Sequence, residues 1–357
     1  MSDDSTRFQH GLDKLSDALR CYQQAHCGAT PRDLIHQVDK VRLYRYRPLP
    51  DREPSGRPPL LVVYALINRP WILDLQEDRS MIRRLQEEGE DVYLVDWGYP
   101  DADDHALSME DYVCRYIDSC VDVVRTCSER DSLNLLGVCQ GGTLAVCYAA
   151  LNPQKVNALV CMVTPVDFKT PDSLLSNWVQ HIDVDAVVQV MGNIPGSYIH
   201  TVFQGLKPLT NSVRKYIDLV YQSADGDSQY LLDNFILMER WLSDTPDQPA
   251  TFFCQFIRWL YQQNRLIKGE LELGDTLVSL QNLRMPVLNI TANHDHIVPE
   301  SSSVALAPLM PHSEYMHHRV RAGHIGIFVG RHSLRKTPEV IALWLDARID
   351  RARSFPV

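Results

Sequence analysis

No stretch of the 357-residue chain offers the roughly 18 consecutive apolar residues that a membrane-crossing helix needs. The opening, MSDDSTRFQHGLDKL, lacks the apolar centre of a secretory leader. Neither secretion nor membrane insertion is expected, and a cytoplasmic location is. The nine cysteines include no C-x-x-C pair and follow no regular framework, which argues against a structural zinc site and fits reduced thiols better than disulfides. A net charge of −10 argues against a broad nucleic-acid surface. There is no Walker loop, no Rossmann glycine pattern, no metal-ligand cluster, no internal repeat and no low-complexity tract. No metal, cofactor or nucleic-acid partner is therefore expected.

What the chain does have is strand–helix alternation. Residues 1–30 read as a polar amphipathic helix on Leu12, Leu15, Leu19 and Tyr22, followed by an alternating strand, VRLYRYRP, and the turn-rich LPDREPSGRPP. LLVVYALI (60–67), DVYLVDW (91–97), LNLL (133–136) and ALVCMVT (158–164) are apolar runs suited to strands buried on both faces of a parallel sheet. Helices are expected between them, one capped by Ser108 and running to about Thr126. The alternation stops over 167–283, where helices and loops carry many aromatics, among them Trp178, Phe203, Trp241, Phe252 and Phe256. Burial preference has most of these filling a core of their own. Strands resume at 286–292 and 315–321, and a last helix is expected over Pro338–Ile349. The pattern predicts a doubly wound, mostly parallel α/β sheet of the α/β-hydrolase type. Its core would be formed by 1–166, with an N-terminal helical arm, and by 284–357, and a helical cap would be inserted at 167–283.

The stretch LNLLGVCQGGTLAVCYAAL (133–151) holds the chemistry. It has the form G-x-S-x-G, the strand–turn–helix elbow that displays a nucleophile, with Cys139 in the serine's place. Cys147 and Cys161 are read instead as inert core thiols. In this fold the nucleophile is followed in sequence by the acid and then the histidine. Asp295 in NHDHIVP and His324 in AGHIGIF each fall just past a strand, at the sheet edge that carries the elbow. Asp167 is the alternative acid, and His294, His317 and His318 are weaker candidates than His324. An oxyanion hole needs two backbone N–H groups. Gln140 supplies one and Ile67 or Asn68 the other, while Asn68 and His296 could also shape the site.

At these residues the chain resembles the polyhydroxyalkanoate synthases, specifically the short catalytic subunit of the two-subunit class III type. The resemblance rests on YALINRPWILDLQEDRS, DVYLVDWGYPD, GVCQGGT, TPVDF, DHIVP and GHIGI, and covers nearly the whole chain. It implies polymerisation of (R)-3-hydroxyacyl-CoA, typically 3-hydroxybutyryl-CoA, into a storage polyester. Coenzyme A thioester would be the substrate, with Cys139 as nucleophile, Asp295 as acid and His324 as base. It also implies a separately encoded second subunit and association with polymer granules; a homodimer of this chain is expected as well. Gln140 looks more like class III than the similar class IV. The competing reading from the residues is a cysteine-dependent thioesterase or lactone hydrolase of the same fold.

Overall fold

The computed structural model describes residues 3–20, 28–50, 52, 55–206, 215–224 and 229–353. Eight strands form the central sheet: β1 (Arg32–Val38), β2 (Val41–Tyr46), β3 (Leu60–Val63), β4 (Val92–Asp96), β5 (Leu133–Val138), β6 (Val156–Met162), β7 (Val287–Ala292) and β8 (Tyr315–Val320). Their spatial order is β1-β2-β4-β3-β5-β6-β7-β8. β2 pairs antiparallel with β1 and β4, and the other pairings are parallel. β3, β4, β5 and β7 are buried at every residue, which is why they read as unbroken apolar runs. The chain leaves β3 for β4 on one side, and β5 then lies on the other side of β3. Loops diverge at this reversal, and the crevice between them is where open α/β sheets receive ligands.

Helix α1 (Asp3–Arg20) precedes the sheet, α2 (Met81–Glu87) follows β3, α3 (Asp118–Ser128) follows β4, and α4 (Gln140–Leu151) follows β5. A π-helical stretch, Asp111–Ile117, leads into α3. The helix itself begins at Met109, and Ser108 caps it as expected: its Oγ accepts from the Asp111 N–H at 3.1 Å, and the Asp111 carboxylate accepts from the Ser108 N–H at 2.8 Å. Between β6 and β7 come α5 (Leu174–Val179), α6 (Val184–Met191), α7 (Gly196–Gly205), α8 (Lys215–Ala224), α9 (Gln229–Ser243), α10 (Ala250–Gln255) and α11 (Arg265–Lys268). The described residues of this stretch add only a small hairpin, Glu272–Leu273 with Thr276–Leu277, and no strand to the central sheet. α12 (Glu300–Val304) follows β7, and α13 (Gly326–Val329) and α14 (Arg331–Arg353) follow β8.

Several elements differ from the sequence expectation. The first helix is described over Asp3–Arg20, and Tyr22 lies outside the described residues. The N-terminal arm, for which the sequence names no partner, packs on α8 and α9 through Leu15, Leu219, Val220, Leu232 and Ile236. Gly11 permits the approach, because a Cβ there would collide with the Val220 carbonyl. Strand β1 was not expected: RDLIHQV, only partly buried at the sheet edge, shows no apolar run. Its pairing with β2 shifts register between Leu34 and His36. The last helix contains Pro338 instead of starting there. The aromatics of 167–283 are divided: Phe203 and Phe253 pack in a separate cluster with Leu175, Val179, Val184, Leu206 and Ile257, as expected, but others do not. Phe252 and Phe256 belong to the cluster on one face of the sheet and Trp241 to the cluster on the other. Dispersion contacts continue from the sheet into these helices, so large rings were no guide to where one packing unit ends.

Candidate active site

β5 ends at Val138 and α4 begins at Gln140, leaving Cys139 alone at the turn with φ 52° and ψ −125°. That backbone conformation is unfavourable for a residue with a Cβ and is held from both sides. The Cys139 N–H donates to the Met162 carbonyl at 2.9 Å, and the Cys139 carbonyl accepts from Gly142 at 2.9 Å. Gly137 and Gly141 let the turn close. A Cβ on Gly141 would strike the Tyr64 carbonyl, and one on Gly137 would meet Gly142 and Ala145. The result is a half-buried thiol at the start of a helix whose N–H groups point toward it.

Asp295 follows β7 in a tight turn. Its Oδ1 accepts from the Ile297 and Val298 N–H groups at 2.8 and 2.9 Å, and its Oδ2 meets His324 Nδ1 at 2.6 Å. Both side chains are buried. Burial opposes charge on His324, yet the Asp295 carboxylate, the Cys139 sulfur and hydrogen bonds to both raise its pKa well above the ordinary histidine value. Cys139, His324 and Asp295 thus form a connected line of groups, with the imidazole between sulfur and carboxylate. Burial, with a smaller contribution from charge on Cys139, also pushes the Tyr64 and Tyr261 hydroxyls up. Neither tyrosine was singled out in the sequence, where each reads as one apolar residue among many.

Gln140 occupies the first position of α4, where an N–H has no partner within the helix. Its side-chain Oε1 accepts from the Leu66 N–H at 3.0 Å and so ties the loop after β3 to the elbow. Ile67, next in that loop, lines the same cavities as Cys139. Asn68 has φ 60° and turns its side chain away toward α9: Nδ2 donates to the Trp241 carbonyl at 3.1 Å and to Thr245 Oγ1 at 2.7 Å. His296 lines a cavity with Cys139 and His324.

The remaining candidates lie elsewhere. Asp167 Oδ1 accepts from Asn264 Nδ2 and from the Lys169 N–H, both at 2.9 Å. His317 on β8 bonds Thr291 Oγ1 at 2.8 Å, and burial lowers the pKa of its neighbour His318. Cys147 and Cys161 are fully buried, and burial pushes both thiols up to about 12. Among the described residues no three His, Cys, Asp or Glu side chains are placed to hold a metal ion. No helix there is long and apolar enough to cross a membrane.

Two cavities meet at Cys139. One, about 110 Å³, is apolar and walled by Leu175, Val179, Val202, Phe253 and Ile257. The other, about 370 Å³, is lined in part by His200, His296 and His324. Ile67, Ile199, Phe203 and Ile297 border both.

Sheet order, elbow and carboxylate–imidazole pair define an α/β-hydrolase-fold protein, and residues 58–331 match the family described as alpha/beta hydrolase fold. The monoacylglycerol lipase of Paleococcus ferrophilus shares that fold at 16% identity, with a TM-score of 0.52 over 87% of this chain and 100% of that one. The poly(3-hydroxyalkanoate) polymerase subunit PhaC of Allochromatium vinosum is 45% identical over 98% of this chain and 96% of its own length. The subunits of the same name from Thiocystis violacea and Synechocystis are each 44% identical, over 98% and 97% of this chain and 96% and 92% of their own lengths. The chain belongs to the poly(3-hydroxyalkanoate) polymerase subunit family.

Proposed function

We propose that this chain polymerises (R)-3-hydroxyacyl-CoA, with 3-hydroxybutyryl-CoA as the probe of choice, into a polyester with release of coenzyme A. One observation carries the reading: a thiol, not a hydroxyl, stands at the elbow in line with a buried His324–Asp295 pair, in a chain 45% identical to a polymerase subunit. His324 takes the Cys139 proton, and the thiolate attacks the thioester carbonyl. The Gln140 and Ile67 N–H groups stabilise the oxyanion. The tetrahedral intermediate expels the coenzyme A thiolate, which recovers the proton from His324. Asp295 orients the imidazole and stabilises its charged form.

Sulfur-to-sulfur transfer leaves the acyl group nearly as activated as it arrived. The 3-hydroxyl of a further substrate then gives its proton to His324 and attacks the acyl–Cys139 carbonyl. A C–O bond forms, the C–S bond breaks, and the sulfur leaves as thiolate. Conversion of thioester to oxoester is downhill and drives growth, whereas a serine ester would have lost that drive beforehand. The scheme uses only this chain's residues, and the thioester is the substrate. Helices 167–283 cover the sulfur and keep out water, the competing nucleophile. A second subunit of the class III type, a homodimer of this chain and attachment to the polymer granule in the cytoplasm belong to the same proposal.

The test is incubation of the purified chain with 3-hydroxybutyryl-CoA, with and without the second subunit, following thiol release and polymer together. Thiol and polymer rising in step is the expected outcome. Thiol release with only soluble hydroxy acid would instead support the thioesterase reading.

A further inference from the structure

The segments INRPW and DWGYPD bring together groups that the acyl-transfer scheme leaves unused. Arg69 is buried, pairs with Asp96 at 2.7 Å and lies 4.2 Å from the centre of the Tyr99 ring. Tyr99 and Trp71 both end on one carboxylate. The Tyr99 hydroxyl donates to Asp244 Oδ1 at 2.8 Å, and Trp71 Nε1 donates to Asp244 Oδ2 at 2.9 Å. Asp244 sits immediately past α9, and its N–H donates to the Arg240 and Trp241 carbonyls. An acid there faces the negative end of the helix dipole, so the helix itself gives no reason for it. Around it, Trp241 Nε1 donates to the Arg69 carbonyl at 2.7 Å, and Asn68 Nδ2 holds Thr245 Oγ1. The loop after β3 is thereby attached to the end of α9 at Asn68, Arg69 and Trp71, directly beside Ile67.

We propose that Asp244 is a positioning residue: by clamping Trp71 and Tyr99 it holds the loop after β3 so that the Ile67 N–H meets the oxyanion formed at Cys139. The proposal rests on the acyl-transfer reading for the role of Ile67. Asp244 touches no reacting atom, and its effect is confined to steps that pass through an oxyanion.

Two reagents separate those steps in the full-length chain. p-Nitrophenyl acetate acylates Cys139 through a tetrahedral oxyanion. Iodoacetamide alkylates the same sulfur by direct displacement, with no oxyanion. Rates at Cys139 are read by mass spectrometry for the parent, Asp244→Ala, Asp244→Asn and Tyr99→Phe. Asp244→Ala is expected to be acylated about 10- to 100-fold more slowly, the scale of a displaced oxyanion donor, with alkylation unchanged. Asp244→Asn keeps an acceptor for Trp71 and should recover part of the loss. Tyr99→Phe, an exposed change that spares the core, should lose less than Asp244→Ala. Equal acylation in parent and Asp244→Ala overturns the proposal, as does parallel loss of acylation and alkylation in Tyr99→Phe. Failure of 3-hydroxybutyryl-CoA to acylate the parent would count against the polymerase reading alone, because the ester comparison still decides the role of Asp244.

Discussion

At the scale of single residues, Cys139 differs from the other core cysteines by exposure and by its imidazole neighbour. Iodoacetamide should label Cys139 ahead of Cys147 and Cys161, whose burial keeps them protonated. Cys139→Ala should fold and lose turnover by a factor on the order of 10⁴ or more, measured as coenzyme A release. His324→Gln should impair acylation of Cys139, since the sulfur loses its base. Asp295→Asn should still be acylated and fail mainly in elongation, because a thiol tolerates a misoriented histidine better than a hydroxyl does. Rapid quench with labelled acyl-CoA distinguishes the two, and an Asp295→Asn chain with no acyl enzyme beside a normally acylated His324→Gln would reverse the assignment. The raised pKa of His324 has a sign in stability as well. A histidine bound more tightly to its proton when folded stabilises fully below its unfolded value, near 6.5, and that contribution fades as pH climbs through the folded value. Denaturant titrations of parent and His324→Gln should therefore show a stability gap that narrows from pH 6.5 upward.

At the scale of elements, glycines mark where backbones touch. Gly141→Ala would drive a methyl into the Tyr64 carbonyl, so the elbow must shift, at a cost of roughly 1–3 kcal/mol by the usual penalty for overpacking. Chemical denaturation would register that loss, together with slower acylation. Gly11→Ala acts far from the sulfur: it should unseat α1 from Val220 and speed amide exchange in α8 and α9 while the central strands keep their protection. The central strands and the elbow were legible in the sequence because burial on both faces demands unbroken apolar runs, and a tight turn demands Gly137 and Gly141. The positions of Cys139, Asp295 and His324 followed from strand ends. What was not legible depends on partners distant in sequence. β1 hides its role because an edge strand has no buried face to write in apolar residues. The partner of α1 was not legible because an amphipathic stripe says that a helix packs, not on what. Asp244 gave no signal at all, since its two donors lie 145 and 173 residues away.

At the scale of the whole molecule, helices between 167 and 283 line the cavities at Cys139. On the proposed function the sulfur has to admit coenzyme A and release a water-insoluble chain, so these helices would have to open during the cycle, and a second subunit that binds the open form better would raise activity only as far as its preference for that form allows. Hydrogen exchange over 167–283 should rise when the second subunit is added, and the lag of the isolated chain should shorten. Equal protection together with lag-free activity of the chain alone would remove this gating. The two borders of the sheet bear on how copies meet. β1 carries an irregular register and an Arg32, Asp33 and His36 fringe, and β8 carries a half-buried His318 and an exposed Arg319. Strand-to-strand docking would have to strip water from these groups and straighten the bulge. Those groups stand against fibril-like zipping of one copy's sheet onto another's, and a twofold pair made by joining edge strand to edge strand is disfavoured.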